Sequence, residues 1–194
     1  MLNRCLFGPL VWVCLTAGLA HAAEVPRPAG EFTISTTDGK GIPLSQYKGK
    51  VCAVAFILTY CPHCQKTVGF LTTMQNEYGP QGFQALASAI DPMANMKVAD
   101  FISNFHPSFP VGFSERDPVL EFLQHPAMFK LMMPQLVFID RKGTIRAQYA
   151  GDDKFFKDED QEKNIRDEIE TLLKEGSATH KKRAASPAVP KKTS

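Results

Sequence analysis

One stretch of the sequence, residues 51–64, constrains the fold more than any other part of the chain. It reads Val-Cys-Ala-Val-Ala-Phe-Ile-Leu-Thr-Tyr-Cys-Pro-His-Cys, an apolar run that ends in a Cys-x-x-Cys motif. The run is rich in β-branched and aromatic residues, and a polar–apolar pattern of helical period follows it. This predicts a buried strand that leads directly into a helix. The motif therefore places two thiols at the start of that helix.

The spacing of Cys61 and Cys64 indicates a redox pair. Residues i and i+3 share one side of a helical turn, so their thiols can form a disulfide without unfolding the helix. Near a helix N-terminus, the dipole and the unpaired N–H groups stabilise a thiolate, which is the nucleophile. Pro62 suits this turn because it lacks an N–H. We expect Cys61 to be the attacking thiolate, Cys64 the resolving thiol and His63 a tuner of their reactivity.

The N-terminal segment, residues 1–22, has the pattern of a secretory signal peptide: one arginine, an apolar stretch, and small residues at Ala20 and Ala22. Cleavage after Ala22 would remove Cys5 and Cys14, and an uncleaved membrane anchor is the alternative. The mature protein is then predicted to be periplasmic or secreted. Outside the cytosol, a Cys-x-x-Cys motif indicates work on the disulfides of other proteins.

Composition divides the rest of the chain into three parts. A Pro-rich linker, residues 23–30, precedes a domain at residues 31–175 that is long enough to bury a full-sized core. Residues 176–194 are rich in lysine and arginine, and their apolar residues are four alanines and one valine, which predicts a disordered basic tail. The formal net charge of +2 for 194 residues is too small to indicate a nucleic-acid partner.

Within residues 31–175, segments of strand and helix character alternate, which predicts an α/β fold. The first helix is expected to end at Tyr78, and an apolar strand to follow over residues 83–90. The closing helix is predicted over residues 159–175, with Gly176 as its end. The helix between these two is predicted to bury one face, formed by Val98, Phe101, Ile102 and Phe105.

Two further features of the chain are interpreted as core. Met128, Met132 and Met133 lie close to Phe129, and we expect these flexible side chains to fill irregular gaps in the core. The alternative is an apolar platform beside the cysteines that accepts varied polypeptides. Cys52 lies inside the apolar strand, so we expect a buried, inert thiol rather than a third redox cysteine.

The strand, the motif and the helix together resemble the thioredoxin superfamily. Tyr60-Cys61-Pro62-His63-Cys64 stands where thioredoxins carry Trp-Cys-Gly-Pro-Cys, and its Pro-His dipeptide is similar to that of the DsbA family of disulfide oxidases. Before the strand, the pattern Phe…Asp-Gly…Leu…Lys-Gly-Lys is similar to the TlpA/redoxin branch. The resemblance implies a thioredoxin-like α/β fold, in which helices flank a central mixed β-sheet.

The resemblance also assigns roles outside the motif. The family has a cis-proline just before a strand, and Pro134 stands at that place. In the family this proline packs against the motif, and the backbone of the preceding residue, here Met133, binds substrate as an added strand. Tyr60 keeps an aromatic flank. The chain departs from the family at Ala55, where thioredoxins bury an aspartate, and at Thr67, where some reductases have a glutamate, so two usual proton-handling groups are absent.

These features predict a thiol-disulfide oxidoreductase that exchanges disulfides with protein substrates through the Cys61–Cys64 pair. We expect no cofactor beyond that disulfide, no metal, a monomer, and partners that are protein thiols or disulfides, with a membrane redox partner as a further candidate. The Pro-His dipeptide favours an oxidase, and the TlpA-like remainder favours a reductase.

Two other classes of protein share part of this cysteine pattern. A Sco-like copper-binding assembly factor is the alternative, because soft thiolates bind Cu(I). Sco proteins, however, space their cysteines Cys-x-x-x-Cys and use a distant histidine. A peroxiredoxin is disfavoured because its signature puts Thr or Ser three residues before the reactive cysteine, whereas Thr59 lies two residues before Cys61.

Overall fold

The computed structural model describes residues 24–157 and 159–184, in which eight strands form one mixed sheet with helices on both faces. The strands are β1 (Arg27–Pro28), β2 (Thr33–Ser35), β3 (Gly41–Pro43), β4 (Val51–Ile57), β5 (Phe83–Ala89), β6 (Val111–Phe113), β7 (Gln135–Ile139) and β8 (Thr144–Tyr149). The helices are α1 (Pro62–Tyr78), α2 (Ala94–Phe105), α3 (Arg116–Leu123) and α4 (Gln161–Ala184). The predicted fold class is confirmed. The predicted signal peptide and residues 185–194 lie outside the described residues.

The central strand β4 explains the unbroken apolar run. The strand order is β1-β8-β7-β4-β5-β6-β2-β3, and all seven residues of β4 are buried. Alternate residues face opposite sides of the sheet. One set, which includes Ala55 and Ile57, packs under α1, α2 and α4, and the other set, which includes Phe56, packs against α3. A strand covered on both faces needs apolar residues at every position.

The sheet topology brings three chain segments to one edge. β4 pairs parallel with β5, with Ile57 beside Ala89, and antiparallel with β7, with Phe56 beside Gln135. Neighbouring parallel strands end at the same edge, and an antiparallel neighbour begins there. The residues that follow β4, those that follow β5 and those that precede β7 therefore meet.

Helix α2 buries a narrower face than the sequence predicts. Val98 and Phe101 are buried together with Ala94, whereas Ile102 and Phe105 are exposed. The buried residues are spaced i, i+4 and i+7, and Ile102 lies at the border of that stripe. Phe105 is the last residue of the helix and reaches past the core, with its ring centroid 4.7 Å from that of Phe101.

Helix α4 is longer than predicted. It continues through Gly176 to Ala184, so the predicted helix end at Gly176 is wrong, whereas the disorder of the basic tail stays a prediction. A single glycine inside a helix costs only about 1 kcal/mol relative to alanine, and no proline follows before Pro187. Of the helices that the structure describes, none combines the length and apolar character needed to cross a membrane.

The predicted linker is partly ordered into the sheet. Arg27 and Pro28 form the edge strand β1, which pairs antiparallel with β8. The buried Arg27 guanidinium donates to the carbonyl oxygen of Phe122 at 3.0 Å and to Oε1 of Gln148 at 2.7 Å. Composition alone missed this strand because two residues are too few to show an apolar period.

The methionine-rich segment lies largely at the surface. Met128 is 86% exposed and Phe129 is also exposed, while Met132 and Met133 are half-buried. The segment between α3 and β7 forms turns rather than a helix or strand, so no regular element directs these side chains toward the sheet. The core-packing interpretation is therefore wrong for Met128 and Phe129.

Candidate redox site

The Cys-x-x-Cys motif begins α1 as the sequence predicts. Cys61 is the N-cap residue, with extended backbone angles (φ −84°, ψ 119°), and Pro62 is the first helical residue. The carbonyl of Cys61 accepts the first helical hydrogen bond, from the N–H of Gln65 at 3.0 Å. The N–H of Cys61 donates to Leu58 at 3.1 Å, which closes the turn between β4 and the helix.

The two motif cysteines differ sharply in accessibility. Cys61 is half-buried, whereas Cys64 is fully buried. Both are free thiols. The N–H of Leu58 donates to Sγ of Cys64 at 3.5 Å. A bulky partner can therefore approach Cys61, while Cys64 reacts only with groups already inside the site.

Burial also keeps Cys64 protonated. The pKa of the Cys64 thiol is raised well above its usual range, mainly because burial disfavours the charged form. The Leu58 N–H opposes this shift, whereas the neighbouring Cys61 thiol and the negative charge of Asp91 add to it. Cys64 is thus suited to act second, after Cys61 has reacted.

Tyr60 and His63 flank Cys61 at the surface. Tyr60 is 64% exposed, and its ring centroid lies 6.0 Å from the ammonium of Lys97. The His63 side chain is exposed. The backbone carbonyl of His63 accepts a hydrogen bond from the Thr67 hydroxyl at 2.9 Å. The tuning role of His63 stays a prediction.

The segment before β7 lies at the same edge as the motif. The Met133–Pro134 peptide is cis, which the family resemblance implied. Pro134 is buried, and Met133 packs against the same hydrophobic cluster as Cys61. Gly151 permits a close approach here: its N–H donates to Met132 at 3.2 Å, and a Cβ at this position would lie 2.2 Å from the carbonyl oxygen of Met133.

The two residues at which the chain departs from the family pattern, Ala55 and Thr67, are both buried in the core. Ala55 is fully buried in β4. Thr67 is also buried, and its hydroxyl accepts a hydrogen bond from Nε2 of Gln161 at 2.7 Å. Thr67 therefore joins α1 to the start of α4 instead of supplying a carboxylate.

Sequence reasoning missed a buried acid at this edge. The side chain of Asp91 follows β5 and is fully buried, and it accepts hydrogen bonds from the N–H and the hydroxyl of Thr59, each at 3.0 Å. Its position after a strand parallel to β4 was the available signal, because the ends of parallel strands meet.

Cys52 lies at the opposite end of β4 and is buried, as predicted. Burial raises the pKa of its thiol to about 12, slightly offset by the charge of Lys50. Cys52 therefore remains a protonated core thiol at neutral pH.

This pKa shift predicts a stability difference at high pH. Between the ordinary thiol pKa of about 8.5 and the folded value, the unfolded chain releases the Cys52 proton and the folded chain does not. The free energy of unfolding of the reduced wild-type protein should therefore fall with rising pH by about 1.4 kcal/mol per pH unit more than that of Cys52→Ala. Urea unfolding at several alkaline pH values measures both slopes. Parallel slopes would contradict the prediction.

A comparison with protein families identifies the chain. The family model described as Redoxin matches residues 22–165. The chain belongs to the Redoxin family. The resemblance to the redoxin branch is thereby confirmed, and the Cys-x-x-Cys motif lies inside the matched region.

Several relatives of this redoxin are named as thiol-disulfide oxidoreductases. It is 31% identical over 134 residues to the thiol-disulfide oxidoreductase ResA of Halalkalibacterium halodurans, covering 69% of this chain and 70% of the relative. It is 21% identical over 161 residues to ResA of Bacillus cereus, covering 77% and 90%. The redoxin is a thiol-disulfide oxidoreductase.

Structural comparison supports the fold. A thiol:disulfide interchange protein of the thioredoxin family from Chlorobium tepidum superposes with a TM-score of 0.63 at 21% identity, over 78% of this chain and 99% of that one. In the part of the chain that the structure describes, no three His, Cys, Asp or Glu side chains form a cluster able to hold a metal ion. The copper-binding alternative is not favoured, because the relatives named above are thiol-disulfide oxidoreductases.

Proposed function

We propose that the Cys61–Cys64 pair exchanges disulfides with protein substrates outside the cytosol. The observation that carries this proposal is the unequal exposure of the two thiols in one motif, with Cys61 accessible and Cys64 fully buried. An accessible attacking thiol beside a protected resolving thiol suits exchange through a mixed disulfide. Membership of the Redoxin family supports the same chemistry.

The exchange runs in two steps. In the reducing direction, the Cys61 thiolate attacks a substrate disulfide and forms a Cys61–substrate disulfide, while the other substrate sulfur leaves as a thiolate. Cys64 then loses its proton and attacks Sγ of Cys61, which forms the Cys61–Cys64 disulfide and releases the second substrate thiolate. Two electrons pass to the substrate. The oxidising direction is the reverse sequence.

The substrate polypeptide binds around Cys61 in this proposal. The backbone of Met133, next to cis-Pro134 at the sheet edge, adds the substrate as an extended strand. Met128 and Phe129 are exposed shortly before it in the chain. Flexible or apolar side chains of this kind can adapt to varied partners, which favours the platform alternative for this segment.

The location and the partners belong to the same proposal. Residues 1–22 direct the protein to the periplasm or to secretion, and the protein acts as a monomer on thiols or disulfides of other proteins. Export places the Cys61–Cys64 pair where disulfides persist. A membrane redox partner restores the pair to its starting state.

The reduction potential of the pair tests this proposal. The two-thiol protein, defined as the full chain with Cys5, Cys14 and Cys52 replaced by alanine, is equilibrated in glutathione buffers, with Cys64→Ser in the same background as control. A potential near about −120 mV assigns an oxidase, and one near about −270 mV assigns a reductase that needs an electron source. Both results support dithiol exchange. The proposal fails if no reversible Cys61–Cys64 disulfide forms.

A further inference from the structure

A buried carboxylate lies directly behind the turn that carries Cys61. The side chain of Asp91 has no solvent exposure, and it is placed where β4 and β5 end together. Its Oδ1 accepts the N–H of Thr59 at 3.0 Å, and its Oδ2 accepts the Thr59 hydroxyl at 3.0 Å. Burial of a charged group is unfavourable unless it is paired and hydrogen-bonded. Asp91 is hydrogen-bonded by Thr59 and forms an ion pair with Lys97.

Thr59 is held through all of its polar groups. Besides the two bonds to Asp91, its carbonyl accepts a hydrogen bond from Nε2 of Gln65, at 3.0 Å, on the first turns of α1. Thr59 lies between Leu58, whose N–H reaches the Cys64 sulfur, and Cys61, whose N–H reaches Leu58. A change in the position of Asp91 would therefore alter the turn that holds both thiols, through the hydrogen bonds of Thr59 and Leu58.

Lys97 connects the buried acid to the surface. Its ammonium lies 3.3 Å from Oδ2 of Asp91 and 6.0 Å from the ring centroid of Tyr60. Lys97 is partly exposed, so it offsets the Asp91 charge without removing it. The cation thus links Asp91, on the β5 side, to the aromatic flank of Cys61.

We propose that Asp91 is a positioning residue for the dithiol, which fixes the Thr59 turn by hydrogen bonds and places a buried negative charge behind the turn that leads to Cys61. The inference deepens the proposed exchange reaction and rests on it. A neutral amide of the same shape could hold the Thr59 N–H, so the charge is not needed for the turn alone. Its effect falls on the nearby thiols.

The sign of the charge effect follows from the neighbours of Cys64. The groups that act on this thiol are the Leu58 N–H, the Cys61 thiol and Asp91, and Lys97 faces Asp91 in turn. A like charge disfavours a thiolate. The Asp91 charge therefore adds to the larger effect of burial in keeping Cys64 protonated, so it contributes to the separate roles of the two cysteines.

The rate of the second step tests this inference. Ellman's reagent reacts with the reduced two-thiol protein in two phases: Cys61 attacks first and releases one coloured thiolate, and Cys64 then displaces the second from Cys61. Asp91→Asn is expected to speed the second phase about threefold, because loss of the Asp91 charge increases the Cys64 thiolate and this gain is partly offset by lower nucleophilicity. Lys97→Met is expected to slow it, because the Asp91 charge is then unopposed.

Asp100→Asn is the matched control. Asp100 is exposed on the same helix as Lys97, in the groove beside Tyr60, so this variant makes the same charge change without touching Thr59. Its second phase should match that of the two-thiol protein. Thr59→Val keeps the Asp91 charge and removes one hydrogen bond, so it should slow the first phase and leave the second nearly unchanged.

A faster second phase in Asp91→Asn together with a slower second phase in Lys97→Met supports the inference. A purely structural role of Asp91 would change the second-phase rate of the two variants in the same direction. If Asp91→Asn does not fold, the Lys97→Met rate alone decides. Second-phase rates within twofold of the two-thiol protein, or shifts of the same sign, overturn the role of Asp91. Absence of any second phase in the two-thiol protein instead overturns the proposed function.

Discussion

Replacing Cys64 with serine is expected to stop the reaction at a mixed disulfide on Cys61, whereas Cys61→Ser is expected to reduce exchange to the uncatalysed background. The reason is the difference in exposure: Cys61 is accessible, and Cys64 is fully buried. A partner disulfide can therefore bond to Cys61, and without Cys64 nothing inside the site releases it. Cys64 alone is both shielded from the partner and held as a thiol by its raised pKa.

Mass spectrometry after incubation with oxidised glutathione measures this outcome. In the two-thiol background, Cys64→Ser should carry one glutathione per chain, and Cys61→Ser should remain unmodified. Cys52→Ala alone is the control and should exchange like wild type, because Cys52 is buried at the far end of β4. Equal labelling of the two serine variants would show that the roles assigned to the cysteines are wrong.

Gly151→Ala is expected to destabilise the protein by about 3 kcal/mol, at the upper end of the usual cost of overpacking. A Cβ at this position would lie 2.2 Å from the carbonyl oxygen and 2.3 Å from the carbonyl carbon of Met133. These are backbone atoms, so no side-chain rotation relieves the clash. The Met133 backbone must shift, and with it the segment that we propose as the substrate-binding strand.

Gly69→Ala is the matched control for this substitution. Gly69 lies inside α1, and a Cβ there meets no atom within 4 Å. Removing a helical glycine should stabilise the protein by about 0.5–1 kcal/mol. Urea unfolding of both variants measures the free energies, and the glutathione assay reports exchange. Gly151→Ala with wild-type stability would contradict the close packing of Gly151 on Met133.

Much of the site could be predicted because it depends on local sequence. The apolar run of β4 and the helix start at Cys61 are both set by residues close together in the chain. The cis peptide at Pro134 was implied only by family resemblance, since no local pattern distinguishes it from a trans peptide.

The sequence-based predictions were incomplete or wrong where contacts between distant parts of the chain determine the position of a side chain. Asp91 reads as an ordinary helix start, and only the parallel pairing of β4 with β5 places it behind Thr59. The period of α2 could not show that Phe105 extends past the core. Met128 is apolar, but its exposure depends on the path of the chain between α3 and β7.

The burial of Cys64 also restricts how partners can evolve. Cys61 is the sulfur of the pair that a large molecule can reach, so in the proposed exchange an electron donor and an electron acceptor must use the same small surface in turn. They compete for it and cannot be bound together in a productive complex. A substitution on this surface that improves the binding of one partner also alters the binding of the other. The surfaces of the two partners therefore constrain each other, although the partners bind at different times.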